Sequence, residues 1–167
     1  MKYTRFEDVP VWQDAIQLAE EVYAMTDSKA WKGSWSLRDQ IERAVLSISN
    51  NIAEGFERGT TNELIAFLYI SRGSAGEVRS MLCFIERLRW AKDLKSLISD
   101  LKSKAESCSR QLRGWADHLQ NSDIKGQRHL TDKARRGYAA AKETEAFERD
   151  LLDRLPPDHP LRKRDPQ

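Results

Sequence analysis

Residues that build disulfides and metal sites are scarce in this sequence. Its 167 residues include two cysteines and three histidines. Two cysteines cannot make a disulfide framework, and Cys83 and Cys108 each stand among apolar positions of a helical pattern. We interpret both as buried thiols of a protein in the reducing cytoplasm.

Long apolar runs are missing as well. No run of about 18 apolar residues occurs, so we expect no helix that spans a bilayer and no membrane partner. Residues 1–5 lead into a mixed segment without the apolar stretch of a secretory signal. Both absences favour a cytoplasmic protein.

Catalytic patterns are absent too. Helical bundles hold pairs of metal ions through Glu-x-x-His motifs, but no glutamate stands three residues before any of the histidines. The sequence contains no His-Glu-x-x-His motif, no paired-cysteine zinc motif and no glycine-rich phosphate loop with a lysine. Without a convergent cluster of reactive side chains, we predict that the protein is not an enzyme. We expect no catalytic residue, metal, cofactor or small-molecule substrate.

Helical periodicity dominates the first 120 residues. Apolar residues recur at steps of three and four in four segments, which span Val11 to Tyr23, Leu37 to Phe56, Leu64 to Leu88, and Leu94 to Leu119. No segment shows sustained alternation of period two. The pattern predicts an all-α fold, with an antiparallel up-down-up-down four-helix bundle over residues 1–120.

Capping residues and glycines set expectations for the helix ends. Side chains able to cap a helix precede the first three segments, at Asp8, Ser36 and Thr60. Gly55 and Gly59 are expected to end the second helix. The third helix contains Gly73 and Gly76, each of which costs about 1 kcal/mol relative to alanine. Close approach of another helix is the expected reason for them.

The periodic pattern decays after Asn121. We expect residues 121–167 to form a basic and polar tail that is mostly disordered, with room for one short helix over 138–154. Such a helix would dock or become ordered on binding.

Positive charge is concentrated in one part of the chain. The net charge is +2, but residues 1–86 carry 9 basic and 13 acidic side chains, whereas residues 87–113 carry 8 basic and 3 acidic ones. The eight are Arg87, Arg89, Lys92, Lys95, Lys102, Lys104, Arg110 and Arg113. They predict a surface that binds RNA or DNA. Charge counts alone favour the alternative, an ordinary solvated helix face.

Two polar strings are not explained by the periodicity of the core. One is Ser-Ile-Ser-Asn-Asn-Ile-Ala-Glu-Gly over 47–55, and the other is Phe-Leu-Tyr-Ile-Ser-Arg-Gly-Ser-Ala-Gly-Glu over 67–77. The residues that stand out in and beside them are Asn51, Glu54, Arg58, Arg72 and Glu77. Three interpretations stay open: hydrogen bonds across the bundle that fix its register, a cap on the frayed end of the second helix, or contacts in an oligomer.

These strings, together with Phe6-Glu7-Asp8 and Val11-Trp12, resemble a bacterial four-helix bundle family. It includes proteins encoded in 23S ribosomal RNA intervening sequences and the accessory variability proteins (Avd) of diversity-generating retroelements. The resemblance covers residues 5 to about 119. It implies a homopentameric ring with a central channel and a basic surface. The tail and the tryptophan-bearing loop from Trp31 to Trp35 depart from the family pattern.

The resemblance implies a function without bond chemistry. The preferred hypothesis is a retroelement accessory protein that binds template RNA or cDNA and a reverse transcriptase as an oligomeric ring. The alternative is a stand-alone structural oligomer of the 23S rRNA intervening-sequence type that binds protein partners only. Since phosphate contacts carry little sequence information, nucleic-acid binding should be weakly specific and strongly salt-dependent.

Overall fold

The computed structural model describes residues 3–121, 140, 143–144, 146–147 and 149–152. Four long helices occupy most of the first range: α1, Pro10–Asp27; α2, Trp35–Glu57; α3, Thr61–Glu86; and α4, Lys95–Gln120. Two short 3-10 helices, Phe6–Asp8 and Arg89–Leu94, precede α1 and α4. No β-strand occurs among the described residues, so the all-α prediction is confirmed.

Side-chain contacts show that neighbouring helices run antiparallel. Along the interfaces of α4 with α3 and with α1, contacts move towards the C-terminus of α4 as they move towards the N-terminus of the other helix. They join Glu86 with Lys102, Arg79 with Glu106 and Tyr69 with Gln120 between α3 and α4, and Glu21 with Lys104 and Asp14 with Gln111 between α1 and α4. Helix α2 packs against α1 and α3. The predicted up-down-up-down bundle is therefore what the chain forms.

The core is one continuous apolar cluster with contributions from all four helices. Its largest fully buried side chains include Leu18, Ile48, Leu82 and Leu101, one from each helix. They belong to the stripes at steps of three and four, because a helix presents such positions on one face. None of the described helices combines the length and the apolar character needed to cross a bilayer.

Side-chain caps mark the starts of α2 and α3, whereas α1 and α4 begin without one. Thr60 caps α3 as predicted, because its Oγ1 accepts a hydrogen bond from the Glu63 N–H at 3.2 Å. The prediction of Ser36 as the cap of α2 is wrong, since Ser34 accepts from the Leu37 N–H at 3.3 Å. Asp8 does not cap α1 either. It ends a 3-10 helix, and Val9 is the residue before α1.

The glycines behave differently from the sequence-based expectation. Gly55 lies inside α2, which continues to Glu57, and a Cβ atom at Gly55 would stand 2.5 Å from the Cβ of Phe67 on α3. Gly73 and Gly76 are exposed, and a Cβ atom at either would meet nothing within 4 Å. Among the described residues, close approach of another helix therefore occurs at Gly55, whereas no described helix of this chain approaches Gly73 or Gly76.

The chain divides into two units, Met1–Arg128 and His129–Gln167. In the second unit the described residues between 140 and 152 are helical and exposed, with the Thr144 hydroxyl donating to the Ala140 carbonyl at 2.9 Å. They fall within the predicted helix over 138–154. The prediction of a mostly disordered tail over 121–167 otherwise concerns positions outside the described residues.

The two cysteines differ in exposure. Both are free, but Cys108 is buried in α4 whereas Cys83 is exposed on α3. The interpretation of both as buried thiols is wrong for Cys83. Core positions Val78, Leu82 and Ile85 define the inner face of α3, and a helix turns the next residue after Leu82 away from that face.

Thiol reactivity should separate the two cysteines. We expect one fast reaction with Ellman's reagent, at Cys83, and a second only after unfolding. Burial raises the pKa of the Cys108 thiol from 9.0 to about 11. Because the unfolded thiol releases its proton at lower pH, the folded state should lose stability as pH rises from 9.0 towards that value. Two fast equivalents in the native protein would contradict this assignment.

Candidate nucleic-acid interface

The eight predicted cations fall into two groups. Four of them form ion pairs with acids of the same bundle: Lys102 with Glu86 at 2.7 Å, Lys104 with Glu21, Arg110 with Glu106 at 3.2 Å, and Arg113 with Asp117 at 3.5 Å. These pairs line the length of α4. A helix face with paired charges attracts a polyanion less than its lysine and arginine count suggests.

The pair of Lys102 and Glu86 links α4 to α3. The hydrogen bond from Lys102 holds the pKa of the Glu86 carboxyl below its usual range, and Lys95 and Arg87 lower it further. The same bond raises the pKa of Lys102. Both groups therefore stay charged near neutral pH, and this pair is a structural contact between two helices.

The other four predicted cations lie where α3 ends and α4 begins. Arg87, Arg89, Lys92 and Lys95 are all exposed, and none forms an ion pair with a residue that the structure describes. Within residues 87–95 they share the segment with a single acid, Asp93. Their ammonium and guanidinium groups are open to solvent and to an anionic ligand.

The loop between α1 and α2 lies against this segment. The rings of Trp31 and Trp90 meet edge to face, with centroids 5.0 Å apart and planes at 70°. Trp31 also covers Gly33, where a Cβ atom would stand 2.5 Å from Trp31 Cζ2. Lys29 and Lys32 flank Trp31 in the sequence, and both are exposed.

We call the six cations on these two connections the basic end: Lys29, Lys32, Arg87, Arg89, Lys92 and Lys95. Sequence reasoning missed the first two. The predicted topology could have identified these two lysines, because antiparallel helices place the first and third connections at the same end of a bundle.

The opposite end of the bundle is rich in acids. It contains the turn before α1, the α2–α3 connection and the neighbouring helix ends, with Glu7, Asp8, Glu54, Glu57 and Glu63. Two arginines there are bound to acids, Arg5 to Glu7 at 2.7 Å and Arg58 to Glu54 at 2.6 Å. Charge is therefore segregated along the bundle axis.

Arg38 fixes the loop of the basic end to the bundle. Its Nε donates to Glu42 Oε1 at 2.7 Å, its Nη1 donates to the Thr26 carbonyl at 3.4 Å, and its Nη2 binds Asp27. The buried Thr26 hydroxyl donates to the same Glu42 oxygen at 2.5 Å. The hydrogen bond with Asp27 raises the pKa of Arg38. This network ties the end of α1 to the start of α2.

The polar strings form a seam between α2 and α3. Asn51 Nδ2 donates to the Ser47 carbonyl at 2.6 Å and to its hydroxyl at 2.9 Å. The Ser47 and Ser74 hydroxyls are 2.9 Å apart, and the buried Ser71 hydroxyl donates to the Ile48 carbonyl at 2.8 Å. Small hydroxyl side chains let the two helices approach while satisfying these polar groups.

The remaining motif residues lie on both sides of this seam. Arg58 bonds Glu54 and stacks over the Phe67 ring at 5.2 Å, next to the close approach at Gly55. Arg72 is half-buried and Glu77 is exposed, and neither forms an ion pair with a described residue. Internal contacts account for Asn51, Glu54 and Arg58. A role in an oligomer stays a prediction for all five.

Comparison with known protein families identifies one that covers most of the described bundle. A family model described as 23S rRNA-intervening sequence protein matches residues 7–114, more than half of the chain. No curated protein matches the chain. The matched range runs from the turn before α1 into α4, so it contains the basic end and both polar strings.

Proposed function

This chain belongs to the family of 23S rRNA-intervening sequence proteins, and we propose that it is a non-enzymatic protein that binds nucleic acid in the cytoplasm. The observation that carries the proposal is the basic end, where six exposed cations lie without ion pairs to described residues. Lysine and arginine side chains in this state neutralise phosphates and release condensed counterions. The paired cations along α4 would have to break their contacts with acidic side chains before they could bind phosphates.

Local electrostatics favour a polyanion over an ordinary solvated surface. The two connections carry six basic residues and one acid over 28–34 and 87–95, and the bordering acids Asp27 and Glu86 are already bound by Arg38 and Lys102, so like charges repel one another across a small area. A strand of phosphates relieves that repulsion at several positions at once. Contacts of this kind position a nucleic acid without reading its sequence, so we expect weak sequence preference.

Salt titration tests the proposal. Binding of a labelled RNA should be measured by fluorescence anisotropy between about 50 and 200 mM KCl. Each neutralised phosphate contributes about 0.7 to the log–log slope for a single strand, so six cations predict a slope near −4. An affinity that does not change with salt would contradict nucleic-acid binding through the basic end.

We propose further that the protein is the accessory subunit of a diversity-generating retroelement and holds a reverse transcriptase beside its template RNA or cDNA. The resemblance of the polar strings to accessory variability proteins supports this. We expect a reverse-transcriptase gene beside this one, and co-purification of the two proteins tests the proposal. The alternative is a stand-alone structural oligomer that binds protein partners only, for which the purified protein would carry no nucleic acid and show no excess absorbance at 260 nm.

The outer face of α3 supports self-association, which we propose gives a homopentamer. Ile70 and Phe84 are 52% and 54% exposed, and the open Gly73 lies between them on the same helix face. Gly76 is open on the neighbouring face. Exposed apolar side chains beside glycines that allow close backbone approach suit a helix from a second copy.

A tryptophan at Gly73 should separate the assembly from the fold. A side chain there meets nothing within 4 Å in the chain, so Gly73→Trp should keep native helicity by circular dichroism but block close approach of a neighbour. Light scattering should report a fall from the wild-type assembly towards the 19.3 kDa chain. The matched control is Gly114→Trp, since Gly114 is equally open on α4. Equal masses for both variants would place the interface elsewhere.

A further inference from the structure

We propose that the basic end selects single-stranded nucleic acid, with Trp35 as the platform on which an unpaired base stacks. The inference rests on the nucleic-acid binding proposed above. It adds to that proposal that the ligand is single-stranded and that Trp35, which is not one of the eight predicted cations, contacts it. Trp35 is the first residue of α2, directly after the loop that carries Lys29 and Lys32.

Trp35 differs from the other tryptophans in its surroundings. Its side chain is 79% exposed, more than any other large apolar side chain in the described residues. Trp12, Trp31, Trp90 and Trp115 are instead partly buried against the core. An indole in water leaves a large flat apolar surface uncovered, and a flat partner covers it best.

The backbone that carries Trp35 is held in place. Ser34 immediately before it caps α2 by accepting the Leu37 N–H, and Arg38 one turn later is bonded to the end of α1. Trp31, on the same loop, packs between Gly33 and Trp90. A ring presented from a rigid frame loses little conformational entropy on binding, which favours a preorganised ligand site.

The combination of ring and cations favours single strands. Bases in a duplex are already stacked and paired, so an exposed aromatic ring has no free base face to contact there. In a single strand every base offers a π-face, while lysine and arginine contact the phosphates on either side. Lys32 is three residues before Trp35, at most about 11 Å away along the chain, so one strand can contact both.

The experiment compares the affinity of the full-length protein for single strands with its affinity for a duplex. Fluorescein-labelled oligo(dT), oligo(U) and a blunt DNA duplex are titrated against wild type, Trp35→Ala and Trp35→Phe at about 0.15 M KCl. Loss of one stacked base should weaken binding to both single strands about 5- to 150-fold in Trp35→Ala. Duplex affinity should stay within about twofold, and Trp35→Phe should recover most of the single-strand affinity.

A matched control removes another exposed aromatic ring. Tyr69 lies near the C-terminal end of α4, where its hydroxyl contacts Gln120, so Tyr69→Ala should leave both affinities unchanged. Wild-type tryptophan fluorescence should be quenched by oligo(dT), and the quenching should be largely lost in Trp35→Ala. Equal loss for single strands and duplex, or no loss for either, would overturn the role of Trp35 while leaving the proposed function intact. Absence of salt-dependent binding to any of the three probes would overturn both.

Discussion

Replacing Arg87, Arg89, Lys92 and Lys95 together with glutamine should weaken nucleic-acid binding roughly 10²-fold at about 0.15 M salt. Each phosphate that is no longer neutralised reduces the magnitude of the log–log salt slope by about 0.7, so the loss of four contacts reduces it by about 3. If the variant and the wild type bind equally at about 1 M salt, this difference in slope gives the stated factor at about 0.15 M salt. The fold should persist, because these side chains are exposed and form no ion pair with described residues. Anisotropy titrations over a range of salt give both quantities.

The matched control removes equal charge from paired positions. Glutamine at Lys102, Lys104, Arg110 and Arg113 also lowers the net charge by four, but these cations contact acids and begin about 10 Å further along α4 than Lys95. The Debye length is about 8 Å at this salt, so their field at the basic end is screened. An equal effect of the two sets would show that total charge, and not the basic end, governs binding.

Replacing Gly55 with alanine should destabilise the protein by about 1–3 kcal/mol, although alanine is the better helix former by about 1 kcal/mol. The added methyl would lie 2.5 Å from the Phe67 Cβ atom. That atom is attached directly to the α3 backbone and cannot rotate away, so the two helices must separate and disturb the seam beside them. Urea unfolding followed by circular dichroism gives the change in the free energy of unfolding.

Gly114→Ala is the control for this prediction. Its Cβ atom meets nothing within 4 Å, so it should stabilise the protein by about 0.5–1 kcal/mol through helix propensity alone. Opposite signs for two identical substitutions would establish close packing at Gly55. A stabilising Gly55→Ala would show that α2 and α3 separate there without cost.

Periodicity in the sequence predicts most of this fold because each helix buries one stripe against the others. Helix starts are harder to predict, since both Ser34 and Ser36 could cap α2 and only the loop geometry selects the first. The glycines show a limit of reading small residues as a group. Gly73 shares its face of α3 with the exposed Ile70 and Glu77, so the helix turns it towards solvent, whereas Gly55 shares the inner face of α2 with the buried Ile48 and Ile52.

Sequence reasoning could predict only part of the candidate site. A count of lysines and arginines finds the basic segment over 87–113, but it cannot assign their partners. Lys104 contacts Glu21, which is 83 positions away, and that contact depends on the register of two antiparallel helices. A count of charges along the chain misses Lys29, Lys32 and Trp35, because their loop is distant in sequence from residues 87–113 and meets that segment across the bundle, where Trp31 contacts Trp90.

Charge segregation along the bundle has a kinetic consequence. Acids gather at one end of a rod about 39 Å long, the length of the 26 residues of α3, and unpaired cations gather at the other. These two groups of charges give the described bundle, residues 3–121, an electric dipole along its axis. The proposed binding to a polyanion would then be steered, because the bundle would turn its basic end towards the ligand before contact and a larger share of collisions would be productive.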